Sequence, residues 1–254
     1  MQSAAILRTQ IESQFAASFP SALTPKEKPV QECISCGLRG IDQLEIFRRG
    51  NLVEICGPAS SGRKTLLHGL LARSTSAGEA AAIIDVTDSF DPVSASQAGV
   101  VLSEVLWVRC GKTRSQGRVL SALEQALTAT EYLLQSGGFG LLALDLAHVP
   151  ARDAQQVPLS AWFKFRRAVE GTQTLFVILA QESNTGNNSA GALDLSQSDI
   201  EVEESETRST RHIDGDCLIT ALHTRAEVVR GQVRKPVRSI RTVGEFSTNL
   251  NSYR

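Results

Sequence analysis

Apolar positions along the chain fall into two alternating patterns. Leu52-Val53-Glu54-Ile55-Cys56 is a short, mostly apolar run that leads into a glycine- and serine-rich loop. Leu66, Leu67, Leu70 and Leu71 then recur at helical spacing. Ala81–Val86 and Val105–Cys110 are further strand-sized runs. Val119, Leu120, Leu123, Leu127 and Leu134 predict one long helix, with Gly137-Gly138 placed to cap its C-terminus. Leu141–Leu146 predicts a strand. Trp162, Phe165 and Val169 lie on a helix ending at Gly171, and Thr174–Ala180 predicts another buried strand. Strands apolar on both faces, alternating with helices, predict an α/β fold with a mostly parallel central sheet covered on both sides.

The two ends depart from this rhythm. Leu7, Ile11, Phe15 and Phe19 are spaced four apart, one apolar stripe of an amphipathic helix. Pro20, Pro25 and Pro29, among Lys26, Glu27 and Lys28, predict an exposed linker. Residues 1–35 therefore divide as a helix and linker from a core domain of residues 36–246, with residues 247–254 as a flexible tail. Residues 182–216 are polar, and Asp194 to Glu206 holds six acidic residues and no basic one. Cys217–Leu222, Ala226–Arg230 and Gln232–Val237 predict shorter antiparallel strands, with Gly231 as a hairpin turn. No internal repeat is present.

Composition narrows the function classes. The 254 residues are 42% hydrophobic and 21% charged, which excludes a wholly disordered or collagen-like chain. A formal net charge of −1 excludes a globally basic nucleic-acid binder but not a local basic face. No apolar run approaches the roughly 18–20 residues that a membrane helix needs. The N-terminus has no secretory pattern, and five cysteines without framework spacing predict reduced thiols. The expectation is a cytoplasmic protein without a membrane partner.

The most informative stretch runs from Leu52 to Leu66. A strand enters Gly57, Pro58, Ala59, Ser60 and Ser61 follow, and Gly62 opens a helix. This is the layout of a phosphate-binding loop, whose glycines let backbone N–H groups turn around an anion at a helix N-terminus. The motif expects lysine and then serine or threonine after the second glycine. Here those places hold Arg63 and Lys64, with Thr65 next. Arginine keeps the charge but meets phosphate with a bulkier planar fork. Lys64 cannot ligate Mg²⁺ as a hydroxyl would, and its charge repels the ion. A register slipped by one would make Lys64-Thr65 the Lys-Thr pair but would put Arg63 where the turn wants glycine. The loop is thus predicted to keep its turn and lose hydrolysis.

These residues resemble the RecA/Rad51 recombinase superfamily. Gly57-Pro-Ala-Ser-Ser-Gly62 is similar to its phosphate loop. Ile83–Pro92 resembles the strand and loop that carry its catalytic glutamate, and Leu141–Leu146 its second nucleotide strand, with Asp145 at the Mg²⁺-water position. Ile178-Leu-Ala-Gln181 resembles the strand ending in a nucleotide-sensing glutamine, and Arg225–Pro236 a C-terminal hairpin whose basic residues reach a neighbour's nucleotide. The resemblance implies a RecA-like core over residues 36–246 and ATP with Mg²⁺ as ligands. Thr87 stands in place of the catalytic glutamate, so with Arg63 and Lys64 no catalytic residue is assigned, and ATP binding is expected to be weak or lost. Asp88 would point elsewhere if the strand continued past it. Asp145 has a second reading as a loop or helix cap, and Gln181 as a plain hydrogen-bonder. Gly137–Val149 and Leu159–Gly171 further resemble the ImuA type, the RecA-like member of a bacterial translesion-synthesis cassette. That resemblance implies an ImuB-like Y-family polymerase homologue, a RecA-like protein or a second copy as partner. A DNA-dependent ATPase of the recombinase-paralogue kind is the alternative. A signalling ATPase of the KaiC kind is disfavoured, because no second phosphate loop is present.

Three further groups complete the expectations. Cys33-x-x-Cys36 stands without a second ligand pair, and the four histidines show no ligand spacing, so no metal site is assigned. Arg225, Arg230, Arg234, Lys235, Arg238 and Arg241, against one acid, Glu227, make a basic stretch suited to DNA phosphates or a neighbouring subunit, or a merely solvated hairpin. Glu182–Ala190, at the place of a DNA-binding loop in the resembled family, carries no arginine or lysine. The Leu7, Ile11 and Phe15 stripe is the candidate partner-binding surface, reaching out on its linker, with capping of its own chain's core as the other reading.

Overall fold

The computed structural model describes residues 31–111, 113–115, 118–204, 217–231 and 243–249; for 113–115, 118–120, 198–204, 217–222, 231 and 243–249 it describes the backbone. The chain divides into the units Met1–Gln31 and Glu32–Arg254. Leu7, Ile11, Phe15 and the Pro20–Pro29 linker lie outside the described residues, as do Arg234, Lys235, Arg238 and Arg241.

In chain order the second unit begins with a single helical turn, α1 (Arg39–Asp42), and strand β1 (Leu52–Cys56). Helix α2 (Arg63–Ser76), β2 (Ala81–Asp85), α3 (Pro92–Gln97), β3 (Val105–Arg109), β4 (Thr113–Ser115) and β5 (Arg118–Leu120) follow. Then come α4 (Ala122–Ser136), β6 (Leu141–Asp145), α5 (Ala151–Ala154), α6 (Leu159–Val169), β7 (Leu175–Ala180), β8 (Gly191–Glu204), β9 (Cys217–Gly231) and β10 (Val243–Asn249). One sheet has the order β10-β9-β8-β1-β7-β6-β2-β3. From β8 to β3 all neighbours run parallel, whereas β8–β9 and β9–β10 are antiparallel. The fold is therefore α/β with antiparallel strands at the C-terminal end.

Alternation along the strands explains why the central runs are apolar throughout. Val53, Ile55, Ile83, Val177 and Leu179 share one core with the α2 leucines Leu66, Leu67, Leu70 and Leu71. Leu52, Ile84, Leu142, Leu144, Phe176 and Ile178 share the other with Trp162, Phe165 and Val169 of α6. Successive residues serve opposite faces, so a strand covered on both sides has no position for a polar side chain without a partner. Each fully buried leucine contributes roughly 1.5–3 kcal/mol. The four on α2 thereby hold the helix, and the loop before it, against the sheet at β2 and β6.

Three sequence expectations change. Val119 and Leu120 belong to β5, paired with β4, rather than to the long helix. Helix α4 starts at Ala122 because Ser121 and Glu124 form a reciprocal capping box: the Ser121 hydroxyl accepts from the Glu124 amide at 3.1 Å, and the Glu124 carboxylate accepts from the Ser121 amide at 2.9 Å. The polar stretch after Ala190 contains a 14-residue strand, β8, ordered by β1 on one side and β9 on the other. Cys217–Leu222 and Ala226–Arg230 are one strand, and Gly231 pairs with Gly191 inside the ladder instead of turning a hairpin. Gln232–Val237 lies outside the described residues.

Candidate functional site

Two glycines fix the loop between β1 and α2. At Gly57 φ is 146°, and a Cβ there would lie 2.3 Å from the Leu195 carbonyl oxygen and 2.7 Å from Ser61 Oγ. Gly62 caps α2 at φ 87°, a left-handed value that a side chain strains to adopt. The turn thus sits at Gly62, and Arg63 is the first helical residue. Pro58, Ala59, Ser60 and Thr65 are exposed, whereas Ser61 is buried.

Arg63 and Lys64, adjacent on the first turn of α2, diverge. The Arg63 side chain turns into the core, where Nη1 donates to the Ala180 carbonyl at 2.5 Å, and the residue is 5% exposed. Burial lowers its pKa, while Asp145 and Cys56 favour its charge. Lys64 reaches the ends of β2 and β6: its ammonium donates to the Ser89 carbonyl and stands 3.9 Å from Asp145 Oδ2.

Asp145 ends β6 at 2% exposure. Its Oδ1 accepts from the Ala147 amide at 2.9 Å, and its Oδ2 accepts from Ser89 Oγ at 3.4 Å. Burial pushes its carboxyl above the usual carboxylate value, against the pull of the Ala147 amide and Lys64. Beside it, buried Asp85 ends β2. It accepts from the amides of Thr87, Ser89 and Phe90 at 3.3, 3.0 and 2.8 Å, and from Trp107 Nε1 at 3.2 Å. These bonds fix the loop carrying Thr87, which is exposed. The strand stops at Asp85, so face alternation does not reach Asp88. A left-handed turn (φ 56°) aims Asp88 at Arg109, whose Nε donates to it at 2.7 Å.

The other end of the site is built on β7. Gln181 Nε2 donates to the Ala147 and Val149 carbonyls, each at 3.3 Å, so this side chain is engaged within the chain. Next to it, Glu54 of β1 is completely buried. It accepts from Ser183 Oγ (2.8 Å), the amides of Asn184 (2.8 Å) and Thr185 (3.0 Å), and Thr185 Oγ1 (2.7 Å). One carboxylate thereby staples the 182–190 segment to the sheet. Arg230 on β9 donates to Ser189 Oγ at 3.0 Å, closing the far end of the same segment. A cavity of about 240 Å³ beside the loop is lined by Cys56, Gln181, Glu182, Ser183, Leu193 and Asp194. Its two charged residues are acidic, which disfavours an anion. Burial pushes the Cys56 thiol up to about 12, so it stays protonated. Cys33 and Cys36 find separate partners, the Glu45 carbonyl and the Asp42 carboxylate.

Residues 3–155 match the family described as the RecA N-terminal domain. The chain belongs to this RecA family. Protein RecA of Borrelia hermsii is 36% identical over 146 residues, 55% of this chain and 38% of that protein. Protein RecA of Clostridium perfringens is 34% identical over 139 residues, 54% of this chain and 37% of that protein. The aligned stretch thus spans under two-fifths of these relatives. The family match covers the phosphate loop, Thr87 and Asp145, and ends before β7, β8 and the Glu54-bound segment. Glu54, Asp85 and Ser89 were not singled out from the RecA-like sequence pattern. The signal for Glu54 was present: it is a lone acid between Val53 and Ile55 in an otherwise apolar strand.

Proposed function

We propose that this RecA-family chain is an accessory protein of DNA-damage tolerance, of the ImuA type acting in SOS-type translesion synthesis, which does not turn over ATP. It works in the cytoplasm through protein contacts, with an ImuB-like Y-family polymerase homologue, a RecA-like protein or a second copy as partner. The observation that carries the loss of turnover is the placement of Lys64, whose ammonium lies 3.9 Å from Asp145 where the motif calls for a hydroxyl. Arg63 is drawn away to Ala180, and Thr87 offers no carboxylate to activate water. ATP is bound weakly or not at all. DNA contact falls to Arg230, Arg234, Lys235, Arg238 and Arg241 and not to Glu182–Ala190, which is tied down by Glu54 and lacks basic residues. No described helix is long and apolar enough to cross a membrane.

Steady-state ATP hydrolysis with and without single-stranded DNA tests the catalytic half. Background turnover under both conditions is expected. DNA-stimulated turnover abolished by Asp145→Ala would return the chain to the ATPases. Capture of a Y-family polymerase homologue by the full chain, lost on deletion of residues 1–22 with the core still folded, tests the partner half.

A further inference from the structure

The family implies Mg²⁺ with ATP, and the residues at this loop do not fit the pair. A divalent ion at Asp145 would share the space with a lysine ammonium. The hydroxyl that the motif provides as a ligand is absent from position 64, and the nearby hydroxyl, that of Ser89, is already directed at Asp145 Oδ2 at 3.4 Å. The loop arginine is committed to the Ala180 carbonyl and buried.

We infer that Lys64 is a resident cation: its ammonium, held between the Ser89 carbonyl and Asp145, supplies from within the chain the charge that a metal would bring. Three observations carry this. Asp145 is 2% exposed, and a carboxylate so buried needs compensation by charge or hydrogen bonds. The bonds it receives, from Ala147 and Ser89, are a cap and one long hydroxyl contact; among the described residues the cation within ion-pair distance is Lys64, with Arg63 and His148 acting on it from farther off. Ser89 itself is not free to move, because its amide is held by Asp85. The ammonium therefore docks on a preformed acceptor pair at the ends of two neighbouring parallel strands, β2 and β6.

The pairing has a structural outcome. Lys64 ties α2 to β2 and β6, while Arg63, one residue earlier, ties it to β7. The loop is closed by its own side chains on both sides, so its conformation requires neither metal nor nucleotide. This inference rests on the reading of a loop without turnover, but it concerns the metal's place alone.

The test reads melting temperature without nucleotide, in chelator and in excess Mg²⁺, for the full chain and three variants. The unsubstituted chain is expected to melt at the same temperature in both. Lys64→Arg keeps the charge and should keep that indifference. Lys64→Met should melt lower by at least about 3 °C in chelator. Lys64→Thr vacates the place and restores a hydroxyl, so Mg²⁺ should raise its melting temperature by a similar amount. A Mg²⁺ response of the unsubstituted chain as large as that of Lys64→Thr would overturn the inference, because the metal would then share the site. So would Lys64→Met melting with the unsubstituted chain, or Lys64→Thr showing no Mg²⁺ response while folded. Turnover of ATP by the unsubstituted chain would instead strike the proposed function, and is measured separately.

Discussion

Removing the Glu54 carboxylate should release the 182–190 segment. Glu54→Ala leaves the part-buried amide of Asn184 and the buried amide of Thr185 without this acceptor, and the hydroxyls of Ser183 and Thr185 must find new ones. Hydroxyls rotate, but backbone amides do not. At about 1–3 kcal/mol for the orphaned buried Thr185 amide and less for the part-buried Asn184 amide, the two together cost about 2–4 kcal/mol. That is a large part of the 5–15 kcal/mol that typically holds a domain together. A domain of this size loses roughly 2–4 °C of melting temperature per kcal/mol, so a fall of about 4–16 °C is expected. Glu54→Gln keeps one carbonyl acceptor and should fall less. Hydrogen exchange localises the effect: Asn184 and Thr185 amides should lose protection, while amides inside β7 keep theirs. Glu54→Ala melting within about 2 °C of the unsubstituted chain, with protection at Asn184 and Thr185 unchanged, would refute the reasoning.

Three further outcomes follow from backbone geometry and burial. Gly57→Ala forces a Cβ to 2.3 Å from the Leu195 backbone oxygen, which cannot swing aside, so a loss of about 3 kcal/mol or more is expected in urea unfolding. Gly78→Ala, with φ 77° but open space around it, should cost only about 1–2 kcal/mol. Burial, and secondarily Lys64, lowers the His68 pKa below its ordinary 6.5, with Asp91 opposing. The unfolded chain then binds the proton more readily, so stability falls as pH drops from 6.5 toward the lowered folded value and rises again with pH. Urea midpoints taken between about pH 7 and pH 5 should show this slope, and His68→Gln should flatten it.

The central strands were legible because burial on both faces erases polar positions, and Leu52–Cys56, Ala81–Asp85 and Leu141–Asp145 carry that mark. β8 was not, because its exposed positions, such as Asp194 and Ser196, interrupt the apolar pattern while Leu193 and Leu195 face the core. Its order comes from neighbours distant in sequence. Val119 and Leu120 mimic helical spacing, and only the serine and glutamate three apart at 121 and 124 mark the true start. At the site, the glycines announced the loop because backbone geometry demands them locally. The destinations of Arg63 and Lys64 could not be read, since their partners Ala180 and Ser89 are 117 and 25 residues away. Glu54 was readable as an anomaly but not as a staple, because its partners lie 129 to 131 residues on.

The position of β1 also sets the order of events during synthesis. It lies between β7 and β8, with Cys56 opposite Ala180 on one side and Asp194 on the other. Neither neighbour exists when β1 leaves the ribosome. At about 5–20 residues per second, the stretch from Cys56 to Asp194 takes on the order of ten seconds to make. Until β7 is made, β1 has neither of its sheet neighbours and stays unpaired, whereas the leucine face of α2 can already meet Ile83 of β2. The same delay applies to the loop, since Arg63 must await Ala180. The phosphate loop is therefore among the early parts of the chain to be made and among the late parts to take its final shape.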